Sequence, residues 1–162
     1  MKIKIIWLLG AIALCFLAGL IGSIATYPSI PTWYAFLNKP FFSPPSWVFG
    51  PVWTVLYIMM GVSLYLILEK REKIKGKLKK EMNKALFLFG SQLALNSLWS
   101  ILFFGLRSPL YGVLCIVPLL ILVLATILQF HKFSKTAAYL LVPYLLWGCF
   151  ATILNLSILL LN

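Results

Sequence analysis

Apolar residues come in five long runs along this chain, covering residues 5–26, 47–68, 85–105, 109–130 and 137–161, and no charged residue interrupts any of them. About 20 helical residues cross the hydrocarbon core of a bilayer, so each run is long enough to span one. Lipid offers no partner to an exposed peptide group. A spanning segment must therefore satisfy its own N–H and C=O groups, and outside closed barrels that means a helix. The pattern predicts an all-α membrane protein, a bundle of five transmembrane helices in one domain over residues 1–162. The first run follows Met1-Lys2-Ile3-Lys4 and includes Ser23-Ile24-Ala25, as a signal peptide would. Its apolar stretch exceeds the ordinary signal core of about 7–15 residues, and it is read as a retained helix.

The connections differ in kind. The third and fourth are short turns, and Pro109 suits the first turn of a helix because no amide donor is needed there. The second, residues 69–84, is charged and compatible with helix. The first is another matter: Tyr27-Pro28-Ser29-Ile30-Pro31-Thr32-Trp33-Tyr34, then Asn38-Lys39-Pro40-Phe41-Phe42-Ser43-Pro44-Pro45. Prolines stiffen it and its rings need cover, so it reads as a folded extramembrane lid packed on the mouth of the bundle.

Charge fixes an expected orientation. The N-terminal segment (Lys2, Lys4), the second loop (eight Lys and Arg from Lys70 to Lys84) and the fourth loop (Lys132, Lys135) carry twelve basic residues, against Lys39 and Arg107 on the other side. Basic loops stay in the cytoplasm. The N-terminus is therefore expected in the cytoplasm and the C-terminus outside. The net charge of +11 sits mostly in the second loop, next to all three acids, Glu69, Glu72 and Glu81. That loop lacks the aromatic stacking surface used to hold single-stranded nucleic acid. Its expected neighbour is anionic lipid, and nucleic acid is not an expected partner.

Composition then removes most enzymology. Hydrophobic residues make up 62% of the chain and charged residues 10%, with a mean hydropathy of +1.01. No ionisable acid lies within a span, and the sole histidine, His131, ends the fourth run beside basic residues. General acid–base catalysis and proton-coupled transport both ask for such groups inside the bundle. Cys15, Cys115 and Cys149 stand apart in apolar stretches and read as small buried hydrophobes; no metal site is expected.

What remains is aromatic surface with a few uncharged polar groups at helical spacing. Gln92, Asn96, Trp99 and Phe103 share one face of the third run, and Pro143, Trp147, Ala151 and Asn155 one face of the fifth. Trp53 and Tyr57 pair in the second, behind Trp47, Phe49, Gly50 and Pro51. The first offers Ala18, Gly22 and Ala25 beside Ser23 and Thr26. Two readings stand. Amides and small residues in membrane helices commonly serve packing, and Trp near helix ends, as at Trp7 and Trp47, belongs to the interfacial belt. Trp53, Trp99 and Trp147 lie several residues inside their spans and suggest a cavity for a flat, largely apolar ligand.

At these residues the chain resembles the TspO/MBR family, the tryptophan-rich sensory and translocator proteins, also called peripheral benzodiazepine receptors, in a bacterial-type member. The resemblance runs from Gly22 to Asn155. It rests on Trp33-Tyr34, Lys39-Pro40 and Pro44-Pro45, and on Trp47-Val48-Phe49-Gly50-Pro51-Val52-Trp53-Thr54 with Leu56-Tyr57 and Met60-Gly61. Further along it rests on Gln92-Leu93-Ala94-Leu95-Asn96 with Trp99 and Phe103-Phe104-Gly105, then Pro143-Tyr144-Leu145, Trp147, Phe150-Ala151 and Leu154-Asn155.

The resemblance implies a five-helix homodimer that binds protoporphyrin IX or haem, and isoquinoline carboxamide or benzodiazepine-type ligands, with no cofactor required. The implied pocket involves Gly22, Ser23, Trp33, Trp53, Asn96, Trp99, Trp147 and Ala151; Thr26, Tyr57, Gln92, Phe103 and Asn155 on the same faces complete the candidate set. It also implies light-dependent porphyrin breakdown through the indoles of Trp33 and Trp147, with a passive porphyrin transporter or exporter as the alternative. Sterol-binding members carry a Tyr and an Arg late in the fifth helix, where this chain has Leu154-Asn155-Leu156-Ser157-Ile158-Leu159-Leu160-Leu161. Only a loose Val62, Tyr65, Lys70 pattern remains, and cholesterol is not an expected partner. Tyr111 stands where vertebrate members carry a tryptophan.

Overall fold

The five apolar runs form five helical spans in the computed structural model, which describes residues 4–71 and 74–162. Lys2, Glu72 and Lys73, used in the charge comparison above, lie outside the described residues. The helices are α1 (Ile5–Ser29), α2 (Phe49–Arg71), α3 (Lys77–Ser100), α4 (Pro109–His131), α5 (Lys135–Leu140) and α6 (Val142–Leu161). All five spans are long and apolar enough to cross a membrane.

Several boundaries differ from the hydropathy pattern, each for a local reason. α1 continues three residues beyond Thr26, through Pro28. The proline cannot donate to the carbonyl four residues back, but the turn resumes at Ile30 N–H, which donates to Thr26 O at 3.2 Å. α3 begins at Lys77, well before its apolar run, because the polar stretch before Ala85 has good helix formers and no need of lipid. The fifth span is broken at Leu141: Pro143, at the start of α6, removes the amide that would carry α5 onward. After Ser100 the third span widens into a π-turn, Ile101–Gly105. Leu106 N–H donates to Ile101 O at 2.9 Å and Ser108 N–H to Phe103 O at 3.1 Å. Ser108 and Ser134 then cap α4 and α5 through their hydroxyls.

α1 packs along α2 and α3, α3 along α4, and α4 along α6. The core fills the half of the bundle nearer the second loop, where Cys15, Met60, Ile67, Met82, Phe89 and Phe130 are buried. Backbones approach closely there. A Cβ on Gly61 would sit 2.5 Å from Ile12 Cα and 2.9 Å from Ile12 N, so glycine is what lets α2 touch α1. Ser63 Oγ donates to Ala137 O at 2.7 Å and Ser97 Oγ to Ala18 O at 2.7 Å, joining spans through buried hydroxyls. Cys15 and Cys115 are buried as expected. Cys149 is not: it lies on the outward face of α6, exposed among the residues that face lipid.

The first loop is folded, as its composition predicts. Tyr34 is buried in a short 3-10 turn, Tyr34–Phe36, and packs its ring on Phe103 and Phe104. Burial raises the Tyr34 phenol above its ordinary pKa. Asn38 N–H donates to Asn162 Oδ1 at 3.0 Å, while Asn162 Nδ2 donates to Asn38 O at 3.0 Å, tying the loop to the end of α6.

The α1–α2 contact can be tested directly. Gly61→Ala is expected to destabilise the fold by about 1–3 kcal/mol, since the clash is with backbone. Gly90→Ala meets nothing within 4 Å and is expected to be neutral or better. Thermal unfolding of the two variants in the same detergent checks the contrast.

Candidate functional site

Toward the lid, a cavity of about 530 Å³ lies between α1 and α2, with Tyr57 against Gly19 on its wall. α1 contributes Phe16, Gly19, Leu20, Ser23, Thr26 and Tyr27. α2 and its approach give Trp47, Phe49, Gly50, Trp53, Thr54 and Tyr57, and α3 and α6 close the far wall with Trp99, Ser100, Phe104, Trp147 and Ala151. Ile30 and Tyr34 of the first loop form its upper edge. No lining side chain is charged.

The walls are aromatic and mutually braced. Trp53 stacks on Tyr57 with centroids 5.3 Å apart and planes at 26°. Trp99 stacks on Phe103 at 5.4 Å and 14°, and Phe49 meets Trp147 edge-on at 6.0 Å. Gly19 makes room for this arrangement, because a Cβ there would run into the Tyr57 ring. Three of the lining hydroxyls are turned toward their own helices: Ser23 Oγ donates to Leu20 O, Thr26 Oγ1 to Gly22 O and Thr54 Oγ1 to Gly50 O. With their protons engaged, they offer the cavity acceptor lone pairs.

Asn96 lies behind this wall. Tyr57 OH donates to its Oδ1 at 2.8 Å, and its Nδ2 donates to Tyr144 OH at 3.0 Å. One carboxamide thereby joins α2, α3 and α6. It borders a second, much smaller void of about 20 Å³, shared with Trp53, Trp99, Tyr144, Trp147, Gly148 and Ala151. That is room for about one small group or one water.

The expected site residues divide accordingly. Ser23, Thr26, Trp53, Tyr57, Trp99, Trp147 and Ala151 line the large cavity, and Asn96 lines the small one. Five do not line either. Gly22 faces α3, where a Cβ would be 2.9 Å from Ser100 Oγ. Trp33 stands edge-on to Phe103 at 5.4 Å. Phe103 itself is buried with Tyr34, Leu154 and Ile158. Asn155 turns to α4, donating to Pro109 O at 3.4 Å. Gln92 is buried with neither amide atom partnered. Helical spacing places residues on one face but does not say which neighbour that face meets.

The spacing argument missed other walls. Tyr144, one residue past Pro143 in α6, is the Asn96 partner. Ser100 and Phe104 lie four apart on α3 and its π-turn; Gly19 and Leu20 lie one turn, and Phe16 two turns, before Ser23 on α1. A uniformly apolar helix gives no polarity signal to separate its cavity side from its lipid side.

The two buried carboxamides on α3 predict opposite responses. Asn96→Leu strands the Tyr57 and Tyr144 hydroxyls and is expected to cost about 1–3 kcal/mol. Gln92→Met removes two unpartnered amide atoms at similar volume and is expected to be neutral or stabilising. Unfolding temperatures of both in one detergent check this.

Comparison with known sequences agrees with the geometry. The TspO/MBR family pattern matches residues 11–161. The tryptophan-rich protein TspO of Archaeoglobus fulgidus is 46% identical over 159 residues, covering 98% of this chain and 99% of that protein. The tryptophan-rich sensory protein of Cereibacter sphaeroides is 35% identical over 130 residues, covering 80% of this chain and 77% of its own length. The human translocator protein is 39% identical over 123 residues, covering 76% of this chain and 70% of its own length. With the match running through every span and both sides of the cavity, the chain belongs to the TspO/MBR family.

Proposed function

We propose that this integral membrane protein is a receptor or sensor for flat, largely apolar tetrapyrroles such as protoporphyrin IX or haem. The same cavity would take isoquinoline carboxamide or benzodiazepine-type ligands. The observation that carries the reading is the 530 Å³ cavity walled by Trp53, Trp99 and Trp147 with no charged lining residue. Its volume falls within the range of about 300–1,000 Å³ used for small-molecule sites. Parallel and edge-on rings on several walls suit a planar conjugated ligand, each well-placed ring adding about 0.5–1.5 kcal/mol. An uncharged lining would exclude free carboxylates from its depth. A porphyrin would therefore lie with its apolar edge inside and its acid groups toward the lid.

Binding is favoured over the other readings on specific grounds. Light-dependent breakdown by the indoles of Trp33 and Trp147 asks for both rings at the ligand, and only Trp147 borders the cavity. A passive transporter or exporter asks for a path onward, and the half of the bundle beyond Asn96 is filled by buried Met60, Ile67, Met82, Phe89 and Phe130. The name of one relative, tryptophan-rich sensory protein, fits a sensor role, while that of another, translocator protein, goes with the transporter reading. A homodimer, and a bacterial cytoplasmic membrane with the N-terminus inside, belong to the same reading.

Titration of protoporphyrin IX into detergent-solubilised protein, followed by porphyrin absorbance, tests it. Trp53→Leu and Trp147→Leu are each expected to weaken binding by about two- to tenfold, the loss of one stacked ring. Trp7→Leu, outside the cavity, is expected to leave it unchanged. The dimethyl ester is expected to bind at least as well as the diacid. Absence of saturation, or equal losses in all three variants, overturns the proposal. Orientation is tested separately by reporters fused at both ends: a cytoplasmic signal at the N-terminus and none at the C-terminus is expected.

A further inference from the structure

We propose that the outer surface of the first loop is bedded in the lipid headgroup region, with Phe36 and Phe41 as its anchors. These two rings are the anomaly of the lid. Phe36 is 85% exposed and Phe41 is fully exposed, although their neighbours Tyr34 and Phe42 pack inward on Phe104 and Phe150. The loop is not loose. Asn38, midway between the two rings, is held by three hydrogen bonds to Leu161 and Asn162 at the end of α6. Phe41 rests edge-on against Phe42 at 5.5 Å. Rigid backbone therefore presents two large apolar rings outward, at a cost if they met only water.

Helix lengths give their level. Trp7 and Tyr27, both exposed on α1, are twenty residues apart, or about 30 Å along a helix. That equals the thickness of a hydrocarbon core, about 30 Å, so the pair marks the two interfaces. The fifth span, Lys135–Leu161, ends beside Asn162, where the loop is tied. Asn38 thus lies at the interface, not on a dome above it. Tyr27 and Trp47, on either side of the loop in the chain, are exposed as well.

Charge fits this placement. Lys39 is the one charged residue in the loop. Its ammonium folds back on Ala35 O at 3.2 Å and Leu37 O at 3.4 Å, and lies 4.9 Å from the Tyr34 ring centroid. The loop contains no Asp or Glu to repel an anionic headgroup. Exposed aromatic rings beside an inward-turned cation, at interface level, match a bilayer interface.

A depth measurement tests this without any ligand. In a Cys149→Ala background, which leaves only the buried Cys15 and Cys115, Phe36→Cys and Phe41→Cys are labelled with a nitroxide in phosphatidylcholine nanodiscs. Collision with a water-soluble nickel chelate is expected to be several-fold lower than for Lys79→Cys in the exposed polar first turn of α3, and collision with oxygen higher. Collision rates equal to those at position 79 overturn the proposal. So does spin–spin broadening, which would assign the rings to a second copy of the chain. If either cysteine variant fails to fold, Phe41→Trp retains an aromatic ring. Its added emission is expected to be quenched by lipid brominated near the headgroup, and lack of quenching overturns the proposal equally.

Discussion

Two helices touch backbone to backbone at one end and are wedged apart at the other, and the rest of the molecule follows from that. Gly61 allows α2 to meet Ile12 of α1. Toward the lid, Tyr57 reaches across to Gly19, and Trp53 stacks on Tyr57. Lipid supplies no hydrophobic drive between helices, so association relies on close packing and buried hydrogen bonds. Concentrating that packing in one half lets the other half remain open. The cavity is the space that the aromatic wedge keeps.

Keeping such a cavity open needs rigid walls, and the polar groups of the bundle serve that end. Asn96 receives a proton from Tyr57 and gives one to Tyr144, so the three helices cannot slide independently. Ser97 and Ser63 bond to carbonyls of other spans. Ser23, Thr26 and Thr54 bond within their own helices, leaving an uncharged and weakly polar lining. Polarity is used mainly to join helices. That division leaves the cavity lining aromatic and free of charge.

The lid extends the same economy of charge. Its prolines and rings fold it without an ion pair among the described residues, and its tie to α6 combines amide hydrogen bonds with the Phe42–Phe150 ring contact. Trp33, a natural candidate for ligand contact from its place in the lid, braces Phe103 from outside the cavity. The loop shapes the upper edge of the cavity through Tyr34 and Ile30.

The number of spans, their helical character and the folding of the first loop were all legible in the chain, because lipid leaves one solution for a long uncharged run. The tryptophans well inside their spans were also legible as wall residues: Trp53, Trp99 and Trp147 border the cavity. Which side of each helix faces the cavity was not. Gln92, Asn96, Trp99 and Phe103 share a helical face, yet they meet apolar packing, two tyrosines, the cavity and the lid in turn. Gly22 and Asn155 look like pocket residues by position and face neighbouring helices. Membrane helices are apolar on their inner and outer sides alike, so periodicity carries little information about rotation. Only the packing of one helix against another, through Gly61, Gly19 and the Asn96 junction, decided where the empty space would lie.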